Sequence, residues 1–169
     1  MYKIRFKDII LISNKRTITS KKIIFFFYGL GCSSNDFHFL FKNKCFKKQL
    51  LIAELPGHNN LRYIDKNLNS YSRKIYLFFK KNKIEEVTFF AHSLGGIIPI
   101  ILAKNFLKRS IFIKNFINYE GNLSRYDTET LTKKTISFGK ENFILEKFDK
   151  LVDKCETSNK SFLNHWSKS

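Results

Sequence analysis

The chain has 169 residues, 43% of them apolar, and a formal net charge of +17. This length and composition predict one globular domain, and no apolar run approaches the ~18 residues of a membrane span. The 31 lysines and arginines are scattered in runs of no more than two, whereas a groove for single-stranded nucleic acid gathers its basic residues along one track. We therefore expect no membrane span and no specific nucleic-acid function.

Strand-like and helix-like segments alternate along the first two thirds of the chain. Residues 2–12, a turn at 13–16 and a return at 17–19 predict a β-hairpin. Short continuous apolar runs are typical of parallel strands buried on both faces. These runs occupy residues 23–28, 50–55 and 87–91. Between them, apolar residues recur at helical spacing around 37–41 and 75–79. The alternation predicts an α/β protein with a parallel sheet.

The later part of the chain predicts one more strand and two helices. A helix should follow residue 96, with Pro99 disturbing its first turns. Residues 111–119 form the sixth predicted strand, and Glu120 follows it. After Asp127 the sequence turns polar, and its apolar residues have the spacing of an amphipathic helix. These residues are Phe143, Leu145, Phe148, Leu151 and Val152.

Residues 86–96 carry the most specific motif. A short strand of β-branched and aromatic residues runs into Ala91-His92-Ser93-Leu94-Gly95 and then into an apolar helical run. A small-x-Ser-x-Gly turn between strand and helix is the pattern of a nucleophile elbow. The turn is so tight that Ala91 and Gly95, two residues from the serine, must be small. The motif predicts that the Ser93 hydroxyl and the Leu94 N–H face the same space above the sheet.

Two further motifs end earlier predicted strands: Tyr-Gly-Leu-Gly at 28–31 and Glu-Leu-Pro-Gly-His at 54–58. In this order, with the serine 64 residues after Gly29, the three motifs resemble the α/β-hydrolase family over residues 20–125. The resemblance implies a three-layer sandwich with a mostly parallel sheet, of which this chain carries the N-terminal part. Residues 1–125 would be the hydrolase core and 126–169 the start of a helical cap. It also implies that the N–H groups of Leu30 and Leu94 form an oxyanion hole.

A serine that transfers acyl groups also needs a base, and an acid that orients the base. The family keeps both after its later strands, and this chain reaches only the sixth. His165, in a polar tail, is the one histidine late enough to be a candidate base. Glu120 is a candidate acid, with a turn residue as the alternative. We interpret His38 as exposed, His58 as a structural turn residue and His92 as a packing residue that points away from the serine hydroxyl. The other carboxylates considered are interpreted as loop or capping residues: Asp36, Glu54 and Asp127.

These motifs predict a serine hydrolase that acts on a small carboxylic ester or thioester through Ser93. The alternative is a truncated, inactive hydrolase or a binding protein that lacks the histidine and acid, with a partner covering an open sheet edge after the sixth strand. We expect no histidine nitrogen within hydrogen-bond reach of the Ser93 hydroxyl.

No metal-ligand cluster, phosphate loop or dinucleotide fingerprint appears in the sequence, so no metal or other cofactor is expected. The three cysteines, Cys32, Cys45 and Cys155, are odd in number and widely spaced. They predict neither a disulfide framework nor a zinc site. The first residues lack a signal peptide's apolar stretch, and together these features predict a cytoplasmic protein.

Overall fold

The computed structural model describes residues 1–42, 48–59, 61, 67–107 and 110–121, together with the single positions 137, 150 and 153. The chain divides into two units, Met1–Gly121 and Asn122–Ser169, and every element described below belongs to the first. The apolar residues on which the helix at 143–152 was predicted lie outside the described residues, as do Asp127, Cys45 and Cys155. The division at 125/126 into core and cap stays a prediction.

Six strands form one mixed sheet in the order β1-β2-β4-β3-β5-β6. They are β1 (Tyr2–Phe6), β2 (Ile9–Ser13), β3 (Lys22–Phe27), β4 (Gln49–Ala53), β5 (Glu86–His92) and β6 (Phe112–Tyr119). Strands β4, β3, β5 and β6 run parallel to one another. Strand β2 runs antiparallel to both of its neighbours, β1 and β4. The carboxyl ends of β3, β5 and β6 therefore lie side by side at one edge, where the candidate site is found.

Helices cover both faces of this sheet because the apolar strands offer side chains to each face in turn. Helices α1 (Phe39–Lys42), α2 (Leu68–Lys81) and α3 (Ile97–Leu102) follow in chain order. On one face the Phe25 ring meets Phe79 of α2 with centroids 5.1 Å apart. On the other face Phe26 meets Phe37, which precedes α1, at 4.5 Å. The predicted three-layer α/β sandwich with a mostly parallel sheet is confirmed.

The opening β-hairpin is shorter than predicted. Strands β1 and β2 pair antiparallel across a turn at Lys7 and Asp8, with Phe6 opposite Ile9. Lys7 has φ 53°, and positive φ in a two-residue turn matches the twist of the flanking strands. The chain does bend at residues 14–17, close to the predicted turn at 13–16. The predicted return strand at 17–19 is wrong, because β2 instead pairs with β4.

The chain after β5 is irregular on both sides of the short helix that contains Pro99. A 3₁₀ turn spans Ser93–Gly96, α3 follows it, and a π-helical turn spans Ala103–Leu107. Pro99 is tolerated because it lies in the first turn of α3, where N–H groups have no intrahelical acceptor. Within the described ranges, no helix combines the length and apolar character that crossing a bilayer requires.

Strand β6 is the last strand on its side of the sheet. Among the described residues it pairs only with β5. It also carries exposed large apolar side chains: Phe112, Phe116, Ile117 and Tyr119. The unpaired edge predicted after the sixth strand is present in this part of the chain, and a partner that covers it stays a prediction.

Candidate active site

Ser93 follows β5 directly and has φ 51°. This left-handed conformation is uncommon for any residue except glycine and costs on the order of 1–3 kcal/mol. The chain turns here from the strand into the 3₁₀ turn that leads to α3. Because β5 lies between β3 and β6, Ser93 stands between the carboxyl ends of those two strands.

Two glycines allow the turn at Ser93 to pack against the end of β3. A Cβ atom on Gly95 would lie 2.5 Å from the carbonyl oxygen of Phe27 and 2.6 Å from that of Tyr28. A Cβ on Gly29 would lie 2.7 Å from the Cβ of Ser93. Neither position has room for a side chain, so close backbone packing explains the small residue that the motif required at 95.

The loop after β3 presents a backbone donor beside this turn. Leu30 is 68% exposed, and its N–H has no hydrogen-bond acceptor among the described residues. Hydrogen bonds hold the residues on either side of Leu30. The Cys32 N–H donates to the carbonyl of Gly29 at 3.3 Å, and the Gly31 N–H donates to Nε2 of His58 at 3.4 Å. Hydrogen bonds therefore fix the loop on both sides of Leu30, while among the described residues the Leu30 N–H has no acceptor.

His58 connects the loop after β4 to the loop after β3. Its Nδ1 lies 3.1 Å from the carbonyl oxygen of Pro56, while Nε2 accepts the hydrogen bond from Gly31. A ring that donates from Nδ1 and accepts at Nε2 is neutral, with its tautomer assigned from these partners. These contacts fit the structural role predicted for His58.

Glu54 lies in the loop after β4, as expected of a loop residue, but its side chain is buried beneath the loop after β3. Oε2 accepts a hydrogen bond from the Tyr28 hydroxyl at 2.5 Å. Oε1 accepts from Asn59 at 3.0 Å and also from the Ser34 hydroxyl. The Tyr28 oxygen in turn accepts from the Leu55 N–H at 2.8 Å. Several neutral donors therefore satisfy a carboxyl group that lies almost wholly out of water.

Burial raises the pKa of the Tyr28 hydroxyl far above its ordinary value, and the adjacent Glu54 raises it further. The hydroxyl therefore remains a proton donor at any physiological pH.

Asp36 and Cys32 lie in the segment that follows this loop. An Asp36 carboxylate oxygen accepts from the Ser33 N–H at 2.7 Å, so its predicted capping role is confirmed. Burial raises the pKa of the Cys32 thiol, and the charge of Asp36 adds to the effect. A thiol with a raised pKa is a poor nucleophile at neutral pH.

The predicted site residues are only partly brought together. Glu120 has φ 50° and is exposed directly after β6, at the same edge of the sheet as Ser93. His165 lies outside the described residues. His38 is half-buried rather than exposed and lines a cavity of about 230 Å³ with Ser34 and Glu54.

His92 packs between two aromatic rings next to Ser93. Its centroid lies 6.0 Å from that of Phe37 and 5.8 Å from that of Tyr119, with the Tyr119 ring nearly parallel to it. In the part of the chain that the structure describes, no hydrogen bond joins a histidine nitrogen to the Ser93 hydroxyl. The same residues contain no group of three or more potential metal ligands.

Solved structures resemble this chain over most of its length. A carboxylesterase from Nitrososphaera gargenis superposes with a TM-score of 0.62 at 14% identity, covering 95% of this chain and 62% of the esterase. MenH from S. aureus gives 0.57 at 17% identity, covering 94% and 56%. An alpha/beta superfamily hydrolase from Oenococcus oeni PSU-1 gives 0.53 at 21%, covering 67% and 43%. The chain has the α/β-hydrolase fold.

The chain spans less than two thirds of each of these structures. No protein-family model and no curated protein matches its sequence. The likeness is therefore one of fold, and the chemistry has to be argued from the site itself.

Proposed function

We propose that this protein is a serine hydrolase that cleaves a small carboxylic ester or thioester, with Ser93 as its nucleophile. The observation that carries the proposal is the left-handed conformation of Ser93 at the junction of β5 and a 3₁₀ turn. Backbone strain of this kind persists only where the surroundings enforce it, and it clusters at active sites. Gly29 and Gly95 provide that enforcement through their close packing.

The chemistry follows from what surrounds the hydroxyl. Attack of the Ser93 oxygen on the acyl carbon moves negative charge onto the carbonyl oxygen. The N–H groups of Leu30 and Leu94 are the proposed donors to that oxygen. Leu94 is the second residue of a helical turn, where N–H groups lack an intrahelical acceptor. Each such donor is worth roughly 100- to 1,000-fold in rate. Glu120 and His165 stay the candidate acid and base.

A second candidate is a binding protein with the same fold and no turnover. Two observations favour it. None of the hydrogen bonds among the described residues pairs a histidine with Ser93, and β6 presents an edge and apolar side chains that a protein partner can cover. Such a protein would bind acyl groups or a partner without hydrolysing either.

Labelling by a fluorophosphonate probe separates these candidates. We expect wild type to be labelled and Ser93→Ala to be unlabelled. Ser110→Ala is the matched control, because Ser110 is an exposed serine that precedes β6 at the opposite edge of the sheet. It should be labelled like wild type. Equal labelling of wild type and Ser93→Ala would remove Ser93 from its role. A folded wild type without any labelling would favour the binding protein.

A further inference from the structure

Two large side chains with apolar surface are exposed on either side of Ser93. Leu30 lies in the loop after β3, and Tyr119 is the last residue of β6 and is 58% exposed. Ser93 stands between the carboxyl ends of these two strands. On the Leu30 side, a Cβ atom on Gly29 would lie 3.1 Å from the hydroxyl oxygen of Ser93. The backbone that carries Leu30 therefore borders the hydroxyl itself.

On the Tyr119 side, a row of aromatic rings passes next to Ser93. Tyr119 lies opposite His92 in the register of β5 and β6, and their rings are nearly parallel with centroids 5.8 Å apart. His92 directly precedes Ser93 in the chain. The row continues from His92 to Phe37 at 6.0 Å and from Phe37 to Phe39 at 6.4 Å. Phe39 and Tyr119 are both exposed, so the two ends of the row face solvent.

The chemistry of this border favours an uncharged apolar group. The side chains of Leu30, Phe39 and Tyr119 carry no charge at neutral pH, whereas Glu120, exposed directly after β6, would repel an acidic group. Apolar surface gains free energy when an apolar group removes it from water, and small-molecule sites are lined mostly by apolar and aromatic side chains. The acyl group of a substrate is bonded to the carbon that Ser93 attacks, so its first carbons must lie against the residues that border the hydroxyl.

We propose that Leu30, Tyr119 and the row of rings bind the acyl chain of the substrate, and that this acyl chain is apolar and longer than acetyl. The proposal rests on the proposed function of Ser93 and names the class of ester or thioester that it cleaves. We assign the acyl chain to this surface, rather than the alcohol or thiol, because the acyl group stays bonded to the serine after the leaving group has departed. Its contacts therefore act in both halves of the reaction.

The size of the expected preference follows from the apolar area that the acyl chain loses to the surface. Each fully buried methylene group is worth about fourfold in an equilibrium constant. A hexanoyl group has about four more methylene groups than acetyl, which gives about 200-fold for full burial and about 15-fold for half burial. We expect kcat/KM for p-nitrophenyl hexanoate to exceed that for the acetate by roughly 15- to 200-fold, after each is divided by its uncatalysed rate.

Two substitutions and a control test which residues produce this preference. Tyr119→Ala and Leu30→Ala each remove an exposed side chain, and Leu30→Ala keeps the backbone N–H. Each should lower the hexanoate-to-acetate ratio by roughly 4- to 15-fold, the equivalent of one or two methylene groups. Phe112→Ala is the matched control, because Phe112 is a 65% exposed aromatic residue at the other end of β6. Its ratio should equal that of wild type.

Two fluorophosphonates, with a methyl or a hexyl group on phosphorus, measure the same preference from labelling rates without turnover. Wild type that is labelled at Ser93 with no chain-length preference overturns the acyl proposal and leaves the serine in its role. So does a preference that follows the alcohol, compared with ethyl and hexyl acetate, or one that Phe112→Ala lowers as much as Tyr119→Ala. Equal labelling of wild type and Ser93→Ala would instead refute the proposed function, and the acyl proposal with it.

Discussion

Removing one oxygen atom beneath the loop after β3 should destabilise the whole domain. The Tyr28 hydroxyl is buried, donates to Glu54 at 2.5 Å and accepts from the Leu55 N–H at 2.8 Å. Tyr28→Phe deletes both hydrogen bonds and nothing else. It leaves a buried carboxyl group with fewer donors and a backbone N–H without an acceptor, which is the costly way to break a buried pair.

The size of the effect follows from these two losses. A hydrogen bond to a charged group contributes about 1.5–3 kcal/mol, and an unsatisfied buried donor costs about 1–3 kcal/mol. The lower cost of burying phenylalanine than tyrosine offsets part of this sum. We expect the free energy of unfolding to fall by about 3 kcal/mol. For a chain of this length, that corresponds to a drop of roughly 6–12 °C in the unfolding midpoint.

Equilibrium unfolding in urea measures this loss, with Tyr2→Phe as the control because Tyr2 is 47% exposed. A double-mutant cycle with Glu54→Gln tests the cause. The glutamine substitution should cost less in the Tyr28→Phe background than in wild type, because the carboxyl group there has already lost a donor. A loss below about 0.5 kcal/mol, or strict additivity of the two substitutions, would refute the reasoning.

Two further predictions concern packing and pH. Gly95→Ala should destabilise the fold by about 1–3 kcal/mol or more, because the new Cβ would meet backbone carbonyl oxygens that cannot move aside; an unchanged thermal midpoint would contradict this. Burial raises the pKa of Asp8, but its hydrogen bond to Lys74 and the nearby positive charges outweigh burial, and the pKa lies below 3.8. Asp8→Asn should therefore be less stable than wild type at pH 6, and urea unfolding should show the gap closing as pH falls below about 3.8.

The sheet could be predicted from sequence because its signal is local. The run Ile23–Tyr28 is continuous and apolar, and Val87–Ala91 is interrupted only by Thr88. Such runs are typical of strands covered on both faces. The turn at Lys7 and Asp8 was missed for an equally local reason. Lys7 continues the alternation of charged and apolar residues from Lys3 onward, and the break in that alternation at Asp8 was given no weight. The positive φ of Lys7 that closes the hairpin has no marker in the sequence.

In the candidate site, too, only the features with a local sequence signal could be predicted. The position of Ser93 and the need for a small residue at 95 were visible, because both belong to one short motif. The role of Glu54 was not visible, because a carboxylate before Pro-Gly is typical of a turn. Its burial depends on Tyr28, 26 residues away in sequence.

The loop after β3 shows how an exposed residue can present a fixed backbone donor. Leu30 contributes nothing to its own restraint, since its side chain is exposed and its N–H is uncommitted within the described residues. The restraint comes from Tyr28, anchored on Glu54, and from Gly31, anchored on His58. Both anchors belong to the loop after β4. The oxyanion role proposed for the Leu30 N–H needs a donor that is in position before charge develops, because reorganisation during the reaction would cost rate. Hydrogen bonds to its neighbours position it without using the N–H itself.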